Sequence, residues 1–71
     1  MHIEEVRLPR GQHLLRIDKS IHGETIALAR VSSRLHAVYW VSPGGYVEDP
    51  AYAGTRTRAD GLFESRLLGN C

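Results

Sequence analysis

At 71 residues the chain has room for one small domain, spanning 1–71, and no second. Nine basic against eight acidic residues leave a formal net charge of +1, so no global field draws it to nucleic acid or an anionic membrane. A hydrophobic content of 42% argues against disorder, and a single cysteine, Cys71, excludes an intramolecular disulfide. A chain this short buries only about 60% of the surface its unfolded form exposes. Self-association is the expected supplement to so small a core. The opening Met1-His-Ile-Glu-Glu lacks the basic and apolar regions of a signal peptide. The longest strictly apolar run, Ala37 to Val41, is too short to span a bilayer. A soluble cytoplasmic protein with no membrane partner is expected.

In chain order, His2 to Leu8 reads as a first strand, with Val6 and Leu8 on one face. Pro9 to Gln12 is a turn, because Pro presets φ and Gly supplies freedom. His13 to Asp18 alternates again, Leu15 and Ile17 against Arg16 and Asp18, and these two segments make an expected antiparallel hairpin. Ile21 to Glu24 breaks the pattern. Thr25 to Val31 follows as a strand whose Ile26 and Leu28 point inward.

The stretch from Ser32 to Ser42 fits two templates. As a helix, Ser32 or Ser33 is the N-cap, Leu35, Val38 and Tyr39 share a face, and Pro43-Gly44-Gly45 ends it. As a strand, Leu35, Ala37, Tyr39 and Val41 oppose His36, Val38 and Trp40, and its β-branched and aromatic content agrees. The capping residues favour a short helix over 33–42. Tyr46 to Glu48 reads as a short strand and Asp49 to Gly54 as a loop. The last segment, Thr55 to Leu68, reads as two short strands around an Asp60-Gly61 turn. The expected fold is α+β: a small antiparallel sheet of four or five strands with one short helix near 33–42. The alternative is an all-β small barrel, SH3-like or Sm-like, in which 35–41 pairs with 25–31 through Ser32-Ser33-Arg34.

Three pieces of the chain carry a resemblance. They are His2-Ile3-x-x-Val6-Arg7-Leu8, then Ser33-Arg34 leading to Trp40-Val41 and Gly44-Gly45-x-Val47, and finally Thr57-x-Ala59-Asp60-Gly61 leading to Leu67-Leu68. Together they resemble a widespread bacterial and phage domain family of unknown function. Members of that family carry a Ser/Thr-Arg-x-x-Val-Val-x-Trp-Ile segment and end in Thr-x-Ala-Asp-Gly followed by Asn-Leu-Leu-x-Leu-Pro. Here Arg66 stands at the Asn position, and Gly69-Asn70-Cys71 replaces the closing Leu-Pro. The resemblance implies a helix at roughly 33–42 packed on a small antiparallel sheet. It implies no activity.

Candidate chemistry is sparse. His2, His13, His22 and His36 are too widely spaced for a zinc pair, although His2 and His13 would face each other across the first hairpin. No nucleophile elbow, phosphate loop or dinucleotide fingerprint is present, so neither a catalytic residue nor a cofactor is expected. Val38 to Val41 has apolar side chains to spare, which makes Tyr39 and Trp40 candidates for a protein partner or a second copy. Arg56, Arg58 and Arg66, interleaved with rings such as Tyr52, have the composition of a single-stranded nucleic-acid surface. The expected function is therefore a non-enzymatic interaction module that binds a protein or itself. A small RNA or single-stranded DNA binder is the alternative.

Overall fold

The structure, a computed structural model, describes residues 6–69. Turn-forming residues interrupt the chain wherever its alternation stops. At the first turn, the buried Ser20 hydroxyl accepts the amides of His22 and Glu24 at 3.1 and 3.2 Å, and Gly23 adopts φ 85°. The chain thereby folds into β1 (His13–Lys19), β2 (Thr25–Ser32), β3 (Leu35–Val41) and β4 (Val47–Ala53), followed by α1 (Arg56–Leu67). All neighbours are antiparallel, in the order β1-β2-β3-β4. The expected α+β class holds, as an open four-stranded sheet with one helix, and the barrel alternative does not.

Two elements lie elsewhere than the sequence suggested. Residues 33–42 do not form the helix expected there, which the family resemblance also implies. They carry the β2–β3 turn and β3, with the faces of the strand reading: Ala37 and Tyr39 on one side, His36, Val38 and Trp40 on the other. The β-branched and aromatic content of Val38 to Val41, paired on both edges, outweighs the capping residues. Pro43-Gly44-Gly45 is accordingly the β3–β4 turn rather than a helix stop.

The helix is at the C-terminus instead, where Asp60 and Gly61 sit mid-helix and make no hairpin. Ala59, Leu62, Phe63, Arg66 and Leu67 recur at helical spacing and face the sheet. Thr55 caps the start by accepting the Arg58 amide at 3.2 Å. Gly69, with φ +76°, closes the end, and a Cβ there would stand 2.7 Å from the His22 ring. Local turn chemistry lost to a packed face.

β-bulges decide which side chains meet the helix. An extra residue at Leu15 puts Leu15 and Arg16 on the helix side and sends Ile17 to the other, correcting the expected alternation. The segment expected as a loop, 49–54, belongs mostly to β4. There Asp49 and Pro50 together oppose Tyr39, with Asp49 at φ 49°.

The helix-side core is Ile26, Leu28, Val38, Ala53, Ala59 and Phe63, all buried. The opposite face is lined by Ala27, Ala29, Ala37 and Tyr39 and is covered by the segment before β1. Leu8 packs on it, the Arg7 amide donates to the Gly45 carbonyl at 2.7 Å, and Arg7 forms a parallel bridge to Tyr46. The expected hairpin between 2–8 and 13–18 is therefore absent over its described part. Its first residues, including His2, lie outside the described residues.

Candidate polyanion interface

A meander brings strand ends together, and here it sorts the charges. β1 and β3 begin, β2 and β4 end, and α1 starts at one rim of the sheet. Arg10 precedes β1, Arg30 lies near the end of β2, Arg34 sits in the β2–β3 turn, and Arg56 and Arg58 open the helix. All are exposed. Among the described residues, the nearest carboxylate is Asp60, one turn into α1, which accepts from Arg56 Nε and Arg16 Nη1, each at 3.2 Å. The opposite rim carries Asp18, Glu24, Glu48 and Asp49, with Lys19 and Arg7 among them.

Exposed charges on the two rims are largely screened from one another. Strands of seven residues hold them about 20 Å apart, more than twice the ~8 Å screening length of physiological salt. The net charge of +1 thus hides a strongly basic end.

Burial tends to raise the Asp60 carboxyl, but hydrogen bonds from Arg16 and Arg56 outweigh it and hold Asp60 below the usual aspartate value. Arg16 also donates to Glu64 at 3.1 Å, and its guanidinium carbon lies 4.4 Å from the Phe63 ring centroid. The Arg16 network therefore closes the side of the core rather than facing a ligand.

The sequence candidates separate in space. Arg56 and Arg58 lie on the first helical turn rather than on a strand, and both remain exposed at the basic rim. Tyr52 is 57% exposed, on the face away from the helix, in the same cross-strand row as Ala37. Leu14 is exposed on that face two strands further along the row, paired with Ala29. Arg66 is withdrawn altogether: its Nη1 donates to the Val38 carbonyl at 2.9 Å, and its guanidinium packs over the Trp40 ring at 5.0 Å.

Tyr39 is buried, its hydroxyl donating to Gln12 Oε1 at 2.7 Å, and burial pushes its phenol above the ordinary value. Trp40 is half-buried under Arg66. Arg10, Arg30 and Arg34 were missed by sequence reasoning. The signal was present in the alternation of charge sign between successive turns, but it becomes legible only once the turns are paired.

At the acidic rim a cleft of about 900 Å³ opens between the β1–β2 and β3–β4 turns, walled by Lys19, Glu24, Trp40, Glu48 and Asp49. Among the described residues, no three His, Cys, Asp or Glu side chains come together as metal ligands. No helix of the described residues is long and apolar enough to cross a membrane. Comparison of the chain with protein-family models, with curated proteins and with solved structures finds no match.

Proposed function

We propose that this chain is a non-enzymatic binding module whose basic rim holds single-stranded nucleic acid. The observation that carries the reading is the clustering of Arg10, Arg30, Arg34, Arg56 and Arg58 at one rim, where Asp60, the nearest carboxylate among the described residues, is already engaged. Phosphate contacts dominate nucleic-acid affinity, so local arginine density matters more than net charge. Tyr52 adds one exposed ring beside the rim, suited to an unstacked base, and Leu14 is exposed separately at the far end of the same row, beyond the buried Ala37 and Ala29.

Docking by strand addition has less support. β4 is bulged and carries Pro50, and β1 is bulged at Leu15 and charged beyond it. Tyr39 is engaged with Gln12 and Trp40 with Arg66.

The test is anisotropy of a labelled oligothymidylate or oligouridylate across a salt series. Four or five phosphate contacts give a slope of log K against log salt of about −3, and Arg34→Ala or Arg58→Ala flattens it by roughly 0.7 each. An anisotropy that stays flat at low ionic strength ends this reading.

A second reading, self-association, is favoured by one apolar patch. Ile21, 68% exposed, and Leu68, 58% exposed, are brought close by the hydrogen bond from the Ile21 amide to the Leu67 carbonyl. A monomer mass by light scattering at high protein concentration would remove it.

A further inference from the structure

The clearest backbone conflict in the molecule lies in β4. We propose that the Asp49–Pro50 bond is a self-cleavage site, at which the Asp49 carboxyl cuts its own peptide bond in acid. Asp49 has φ 49°, and among the described residues it alone adopts a positive φ without being glycine. The ring of a following proline drives the preceding residue to negative φ and an extended backbone. Both demands fall on Asp49, so strain is held at the bond that joins it to Pro50. Such strain persists only where the surroundings enforce it. Here Glu48 is paired with Trp40 and Ala51 with Val38, which leaves Asp49 and Pro50 as two residues opposite Tyr39.

The chemistry follows from what proline lacks. An aspartyl residue ordinarily reacts through the N–H of the next residue, which attacks the side-chain carboxyl and closes a cyclic imide. Pro50 has no N–H, so that route is shut. The carboxyl is left to act in the other direction. A side-chain oxygen of Asp49 bonds to the Asp49 carbonyl carbon, the carbon–nitrogen bond to Pro50 breaks, and the carboxyl proton passes to the departing nitrogen. The five-membered anhydride then takes up one water. One chain now ends in Asp49 with both carboxyls restored, and the other begins at the Pro50 amine. Breaking this bond releases the proline ring from Asp49, so the strain falls as the reaction proceeds.

The surroundings leave the bond open to solvent. Glu48, Asp49 and Pro50 are all exposed, and Asp49 lines the acidic-rim cleft together with Glu48, Lys19 and Glu24. None of the ion pairs among the described residues engages Asp49. β4 is an edge strand, bonded to β3 alone. After scission Ala51, Tyr52 and Ala53 keep their places opposite Val38, Ala37 and His36, and Phe63 still anchors α1 in the core. The product is a two-piece protein with the same sheet and helix.

The experiment incubates the whole chain at the most acidic pH at which circular dichroism still reports the native sheet, and follows intact mass. The expected products are 1–49 and 50–71. They should form about tenfold faster than from the same chain unfolded in urea at that pH, as relief of backbone strain implies. Asp49→Asn and Pro50→Ala should each stop the scission. Asparagine tolerates a positive φ but has no carboxyl, so that variant tests the chemistry in an intact fold. An uncut chain, a folded rate no higher than the unfolded one, or a cut that persists in Asp49→Asn each overturns the proposal.

Discussion

The two faces of the sheet are built on different principles. The helix side buries Ile26, Leu28, Val38 and Phe63, large side chains that interlock with a regular element. The other side is nearly flat, lined by Ala27, Ala29 and Ala37 around one ring, Tyr39, and is closed by the irregular segment 6–12. Small side chains leave room for an extended strap to lie close, but they contribute little area. The difference teaches that stability resides under the helix, whereas the strap is fastened by a few separable bonds.

The largest expected effect tests the helix side. Phe63→Ala should cost about 3–5 kcal/mol, most of the stability of a domain this size. A urea melt showing a smaller loss than any strap variant would invert the comparison. On the strap, Leu8→Ala should cost about 1–1.5 kcal/mol, since its side chain is only half-buried. Next comes Tyr39→Phe, which removes one hydrogen bond to Gln12 and should cost about 1 kcal/mol. It should also speed amide exchange at residues 7–12 more than in α1. Uniform exchange across both would mean the two layers open together.

A gain is expected at Gly61→Ala. Gly61 lies on the exposed side of α1 with no neighbour within 4 Å of an added Cβ. The substitution should stabilise by about 0.5–1 kcal/mol, and an unchanged melting temperature would count against the helix. The smallest effect is electrostatic. Asp60 titrates lower when folded than when unfolded, so its contribution is complete above about pH 4 and fades as pH falls through the folded value. Asp60→Asn should remove that part of the acid dependence, read as convergence of wild-type and variant stability differences at low pH.

Much of the sheet was legible. The β1–β2 break at Ser20 to Glu24, the inward Ile26 and Leu28, and the two faces of 35–41 all follow from period-two alternation. The helix was misplaced for a specific reason. Ser33 and Pro43-Gly44-Gly45 carry helix-end chemistry, but they also make tight β-turns, and short-range signals do not distinguish the two. Asp60-Gly61 posed the same problem in reverse. Gly61 is tolerated in α1 because its face is solvent-exposed, and Ala59, Leu62, Phe63 and Arg66 supply the buried stripe. Arg66 misled for another reason: a guanidinium in sequence carries no mark of burial, and its partner is the Val38 carbonyl 28 residues away.

By itself the sequence determined the alternating strands around Leu15, Ile26 and Leu28, because apolar periodicity is a local property that each segment carries with it, whereas the place of the helix was not fixed by it. It also supplied enough arginine for an anion surface. Only the tertiary structure decided which arginines share a rim, which one is buried, and that acidic residues collect at the far end. Strand pairing brings together positions that lie far apart along the chain, and only then does charge sign acquire a place.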